Sequence, residues 1–242
     1  MTRARMRVSL TLAALIGAAA IVYAVGRRPP EPIPPRSVEQ RPTLLLLTSL
    51  PLMFGEEFSL EGGGSPAVKA LEVRYRIAPI SVADPAGLAK GRLLLMAHPL
   101  AQPAEGLVAL DRWVRDGGRV LLLADPMLEW PSDRPLGDRL RPPPMFMDTG
   151  LLAHWGLRLD APEVRRTEHR ELGGYDVLTA SPGLLFGKCE ISRDRLVAHC
   201  TIGKGKATIV ADADVLGVQN LDGPTQHNLD SVLAELAELE RS

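Results

Sequence analysis

The strongest hydrophobic patterning lies between Gly87 and Trp130. Arg92–Ala97 and Arg119–Ala124 are short apolar runs without polar alternation, as strands buried on both faces require. Between them Leu107, Leu110 and Val114 recur at i, i+3 and i+7, one stripe of an amphipathic helix. Pro103 suits its first turn, where a missing N–H costs little, and Gly117-Gly118 ends it, since a left-handed cap is cheap only for glycine. The pattern predicts a βαβ unit with parallel strands and a right-handed crossover.

The same reading extends along the chain. Thr43–Thr48 is a buried strand, Pro66–Leu71 a short helix, Val73–Ile77 a second strand, and Asp84-Pro85 opens another short helix. Asp148–Trp155 reads as a helix capped by Asp148, followed by a short strand at Gly156–Leu159. Tyr175–Ala180, Leu184–Glu190, Leu196–Cys200 and Ala207–Ala211 are β-like. Leu229, Val232, Leu233, Leu236 and Leu239 form the stripe of a closing helix, with Thr225 as a cap. The expected class is α/β: a central parallel sheet plus a C-terminal β-hairpin.

Ahead of the domain the pattern changes. Residues 1–7 carry Arg3, Arg5 and Arg7, and Val8–Val25 then runs 18 residues without a charge. At 1.5 Å per residue that spans roughly 27 Å, close to the hydrocarbon thickness of a bilayer. Residues 1–7 therefore read as a cytoplasmic start and 8–25 as an uncleaved signal-anchor forming one transmembrane helix. Residues 26–42 read as a linker: Arg28–Arg41 contains five prolines, which suits an extended spacer. Residues 43–242 read as the α/β domain.

Composition narrows the picture in two ways. Lys and Arg (28) nearly balance Asp and Glu (29), so there is no electrostatic footprint for nucleic acid. Cys189 and Cys200 are the two cysteines, and they flank a hairpin turning near Arg193-Asp194-Arg195. With the turn centred between Asp194 and Arg195 they face each other, which predicts a disulfide and an oxidising, periplasmic setting.

Several segments carry a resemblance. LLLLTSLPL, LEVRYRIAPI, LVALDRWVRDGGRVLLLADPML, WPSDRPLGD and IVADADVL resemble the auxiliary extracytoplasmic domain of uncharacterised ABC-type transport systems and gliding-motility transporter accessory proteins. The resemblance covers roughly Thr43–Val215, and Ala211 stands where such relatives often have glycine. It implies a class I glutamine amidotransferase-like fold, a flavodoxin-like three-layer sandwich. It also implies an interaction or ligand-binding role beside a transporter, and no demonstrated reaction.

In a doubly wound sheet, ligands bind beyond the carboxyl ends of the strands. That edge gathers Thr48, Ser49, His98, Asp125, Asp212 and Asp214, with the loops around Glu56-Glu57 and Trp130. An amidotransferase nucleophile would be a cysteine on a strand-to-helix turn. None stands there, and His98 occupies the corresponding place. His98, Asp125, Asp212 and Asp214 offer metal-ligand chemistry, but an Asx turn at Asp125-Pro126 and loop caps at Asp212 and Asp214 account for the carboxylates without a metal. Asp138, among Arg134, Arg139 and Arg141, suits either an anion or local ion pairing. Pro126–Pro144 has six prolines and contains Trp130, so a packed, functional loop is expected.

The resulting expectation is a single-pass bacterial inner-membrane protein with a periplasmic domain and no cofactor. It would act as a non-catalytic accessory or ligand-binding subunit beside permease and ATPase subunits. The alternatives are a hydrolase using the carboxylates, with or without a metal, and a glycan-binding module using Trp130.

Overall fold

The computed structural model describes residues 30–53 and 64–241. The expected start, anchor and first linker residues, and the Glu56-Glu57 loop, lie outside the described residues.

The core is a seven-stranded sheet ordered β2-β1-β3-β4-β11-β10-β9. Its parallel part is built from β1 (Thr43–Thr48), β2 (Arg76–Pro79), β3 (Leu93–Ala97), β4 (Arg119–Leu123) and β11 (Gly205–Val210). β1, β3 and β4 are almost continuously leucine, and their central residues are buried, as expected of strands covered on both faces. β10 (Val197–Ile202) and β9 (Glu190–Ile191) extend the sheet antiparallel beyond β11. The β-hairpin expected near the C-terminal end is therefore part of the main sheet.

The helices are α1 (Pro66–Glu72), α2 (Pro85–Leu88), α3 (Ala104–Arg115), α4 (Leu151–His154) and α5 (Asn228–Arg241). The crossover to β2 runs one way from β1 and the next runs back, so right-handed connections place α1 opposite α2 and α3. α1 packs on α5, and α2 on α3. Two starts are locally specified: Ser65 Oγ accepts from Val68 N at 3.2 Å and Asp84 Oδ1 from Gly87 N at 2.6 Å, each just before a helical proline. α3 ends at Gly117, whose φ is +105°.

Three expected elements change and one strand is added. The second strand begins at Arg76, not Val73, because the amides of Arg74 and Tyr75 still bond to the Leu71 carbonyl and continue the helical turn. α4 begins after Gly150 (φ +102°) rather than at Asp148, whose Oδ1 accepts from Gly150 N and Leu152 N. The run Leu184–Glu190 divides into β8 (Leu184–Gly187) and β9. β8 pairs with β5 (Leu157–Asp160) in a separate ribbon. The chain bends at Gly187 (φ +148°), where a Cβ would meet the Gly156 carbonyl at 2.2 Å. Finally, β6 (Thr167–Leu172), which pairs with β7 (Tyr175–Ala180), is a polar strand, TEHREL, with no alternation to mark it.

The register of β9 on β10 places Ile191 opposite Ala198 and Glu190 opposite His199. Cys189 and Cys200 follow as the next pair; they are 4.9 Å apart at Cα and form a disulfide.

The linker is not a free spacer over its described length. Ile33 packs against the core, the Arg36 amide donates to the Val73 carbonyl at 3.0 Å, and the Arg36 guanidinium meets Glu240 at 2.8 Å.

Among the described residues no helix is long and apolar enough to cross a membrane. The expected transmembrane helix, residues 8–25, lies outside the described residues; the assignment to a bacterial inner membrane with a periplasmic domain has no support among the described residues and is withdrawn.

Candidate functional site

The carboxyl ends of the parallel strands gather the residues expected there, and their polar atoms turn inward. Thr48 Oγ1 donates to the Ala97 carbonyl at 2.8 Å and accepts from Leu50 N at 2.9 Å, while Ser49 Oγ donates to the His98 carbonyl. These two hydroxyls tie the end of β1 to the end of β3.

His98 occupies the turn after β3 with φ +46°, an uncommon conformation for a non-glycine residue. It is fully buried, its amide donates to the Leu123 carbonyl at 2.9 Å, and Nε2 lies 2.8 Å from the Pro143 carbonyl. A carbonyl partner assigns the proton to Nε2 and leaves Nδ1 buried without a partner. Burial pushes the imidazole down to about 4, so it is neutral at physiological pH and holds the 126–144 loop as a donor.

Three aspartates lie beyond β4 and β11. Asp125 closes the Asx turn expected before Pro126: Oδ1 accepts from Met127 N at 2.8 Å, and Oδ2 accepts from Ala213 N at 2.9 Å. Asp212 accepts from Val215 N at 2.9 Å through Oδ1 and from Ala180 N at 3.0 Å through Oδ2. Asp214 Oδ2 accepts from Glu129 N at 2.8 Å. Asp125 and Asp212 are fully buried and Asp214 is 2% exposed. Burial raises all three, and the charges of neighbouring carboxylates raise Asp212 and Asp214 further: Asp125 lies at about 6, Asp214 at about 8, and Asp212 well above the usual carboxylate range.

Two further residues belong to this cluster. Ser181, at φ +51° and fully buried, donates from Oγ to Glu129 Oε1 and accepts from Arg166 N at 3.1 Å. Neither carried a local signal: Glu129 lies inside an aperiodic loop and Ser181 follows an antiparallel strand. The network therefore joins the 126–144 loop, the end of β7 and the segment after β11. Among the described residues no group of three or more His, Cys, Asp or Glu is arranged to hold a metal ion.

The other candidates lie apart from it. Asp138 pairs locally, with Leu140 N at 2.8 Å and Arg134 at 3.8 Å. Trp130 is half-buried against the core, and its ring edge lies beside Gly217. Trp155 is 7% exposed and its indole N–H donates to Asp111 at 3.0 Å, so it packs into the domain. The long loop is ordered by Phe146 N to the Asp125 carbonyl at 2.6 Å and Leu128 N to the Pro144 carbonyl at 3.0 Å. Leu136 and Leu140 on that loop, and Met145 and Met147 just after it, are nevertheless exposed.

No family model and no curated protein matches this chain. Solved structures do. The Cytoplasmic Protein STM3548 from Salmonella typhimurium aligns with TM-score 0.51 at 10% identity, covering 82% of this chain and 98% of that one. The exo-beta-1,4-mannosidase Op5Man5 from Opitutaceae bacterium strain TAV5 aligns with TM-score 0.47 at 11% identity, covering 82% of this chain and 36% of that one. A beta-galactosidase from Bacillus circulans sp. alkalophilus aligns with TM-score 0.45 at 12% identity, covering 84% and 31%. The chain spans about a third of the length of these glycosidases. The likeness to STM3548 shows a shared fold and nothing more. The resemblance to auxiliary domains of ABC-type transport systems and gliding-motility accessory proteins is corrected: no family model matches the chain, and the structure that shares its fold is the cytoplasmic protein STM3548. The transport-accessory role and its periplasmic placement fall with it.

Proposed function

We propose that the described domain is a recognition module for another macromolecule, with the Pro126–Thr149 loop as its working surface. The strand order β2-β1-β3-β4-β11 supports a flavodoxin-like sandwich, which places this loop over the crevice where such folds bind. One observation carries the reading. The hydroxyls of Thr48 and Ser49 and the carboxylates of Asp125, Asp212 and Asp214 bond within the chain, while the loop that His98, Asp125 and Asp214 fasten exposes Leu136 (83%) and Leu140 (66%). A loop fastened this firmly, yet carrying exposed leucines and methionines, is built to meet another surface.

The second reading is a carboxylate hydrolase. It is favoured by the neighbouring carboxyl groups of Asp125 and Asp214, which burial raises to about 6 and about 8. Their burial weighs against substrate contact.

One experiment separates the two. A photo-crosslinking residue at Leu136 should give a discrete adduct in the producing cell, lost in Leu140→Asp with an unchanged Tm. A control at the exposed Val164 should give none. Turnover of a panel of glycosides and esters, abolished in Asp214→Asn with an unchanged Tm, would instead establish the hydrolase.

A further inference from the structure

On the far side of the molecule the segment Pro32–Arg41 lies in a site built for it. α1 is followed by Val73, Arg74 and Tyr75, and α5 brings Glu240 beside them. Arg74 is 6% exposed and Tyr75 1%, so both are set in the domain rather than free on its surface. The Arg74 guanidinium donates to the Pro34 carbonyl. The Val73 carbonyl accepts the Arg36 amide at 3.0 Å. Glu240 accepts from Arg36 through Oε1 at 2.8 Å and from the Tyr75 hydroxyl through Oε2 at 3.0 Å. The Arg36 guanidinium also sits 5.8 Å above the Tyr75 ring. Ile33 supplies an apolar anchor against the core.

These contacts read a definite chemistry. An extended proline-rich strand has no internal hydrogen bonds, so its carbonyls are free for a donor such as Arg74. Prolines hold the strand in its bound shape and reduce the entropy lost on docking. The carboxylate and the aromatic face together select a cation at one position. We infer that Val73, Arg74, Tyr75 and Glu240 form a recognition site for an extended Ile-Pro-Pro-Arg-type peptide, which the chain's own Ile33–Arg36 segment occupies in cis. Tethering keeps the effective concentration of that segment high, so a free peptide enters only when the segment is loosened. The site is independent of the loop at the other end of the sheet.

The test uses the full chain and a fluorescent synthetic peptide of residues 30–38, PEPIPPRSV. Ile33→Asp/Arg36→Glu loosens the resident segment and should bind the peptide saturably by anisotropy. Wild type should bind it at least tenfold more weakly, and so should the loosened variant carrying Glu240→Ala. No binding to the loosened variant, equal binding to wild type, or binding indifferent to Glu240 would overturn the site. Should the loosened variant fail to fold, trypsin nicking of the full chain decides. Glu240→Gln should be cut after Arg36 at least tenfold faster than wild type, and equal rates would overturn the clasp.

Discussion

Single residues decide the character of the carboxyl edge. Asp212 has each oxygen on a different backbone amide, one from β7 and one from the turn after β11. Asp212→Ala strands both buried N–H groups, and each such group costs about 1–3 kcal/mol. We expect a loss of about 2–5 kcal/mol by urea denaturation; a loss under about 0.5 kcal/mol would show that the network is not structural. His98 combines a left-handed backbone, a buried ring and a carbonyl partner from the covering loop. Its position after β3 was legible from the strand pattern, but its role was not. In sequence it occupied a nucleophile's place, and only the arrival of Pro143, 45 residues on, makes it a loop fastener.

At the scale of elements, close backbone approach and the disulfide matter most. A Cβ at Gly205 would lie 2.0 Å from the Val114 carbonyl and 2.3 Å from that of Gly118, where the start of β11 meets the end of α3. Backbone cannot yield as a flexible side chain does, so Gly205→Ala should cost about 3 kcal/mol or more, measured by chemical denaturation. The Cys189–Cys200 bridge closes a short hairpin with a sequence separation of 11. Reduction, or Cys200→Ser, should lower stability by about 2–3 kcal/mol in the chain-entropy account, and an unchanged denaturation midpoint would contradict it. The disulfide was readable because a hairpin register is arithmetic once its turn is placed. The polar β6 was not, because strand character there comes from pairing with β7 rather than from any apolar face of its own.

For the whole molecule, the buried acids set how stability responds to pH. Asp125, Asp212 and Asp214 have folded-state values above their unfolded ones, so the folded chain holds extra protons and stability falls as pH rises toward those values. His199, raised chiefly by its hydrogen bond to Glu235, acts in the same direction: its stabilisation is complete below the unfolded value and is lost as pH rises through the folded one. His98 acts oppositely, since its depressed value makes the folded state lose stability as pH falls from 6.5 toward about 4. Between pH 6.5 and 8 the raised groups prevail, so Tm should fall across that interval. Asp214→Asn should flatten the slope, and a wild-type Tm that rises from pH 6.5 to 8 would contradict the assignment.

The leucine runs of β1, β3 and β4, the stripe of α3 and the glycines that end it determined the parallel α/β core before any contact was known. Those signals are local: burial on two faces demands continuous apolar runs, and helical burial demands its own period. Tertiary structure alone decided that the acids meet backbone amides from β7 and the loops, and that Glu240 clasps Arg36 across 204 residues. Such partners are joined by the fold and leave no spacing in the chain; a proline-rich stretch reads as a spacer until the surface that holds it is formed.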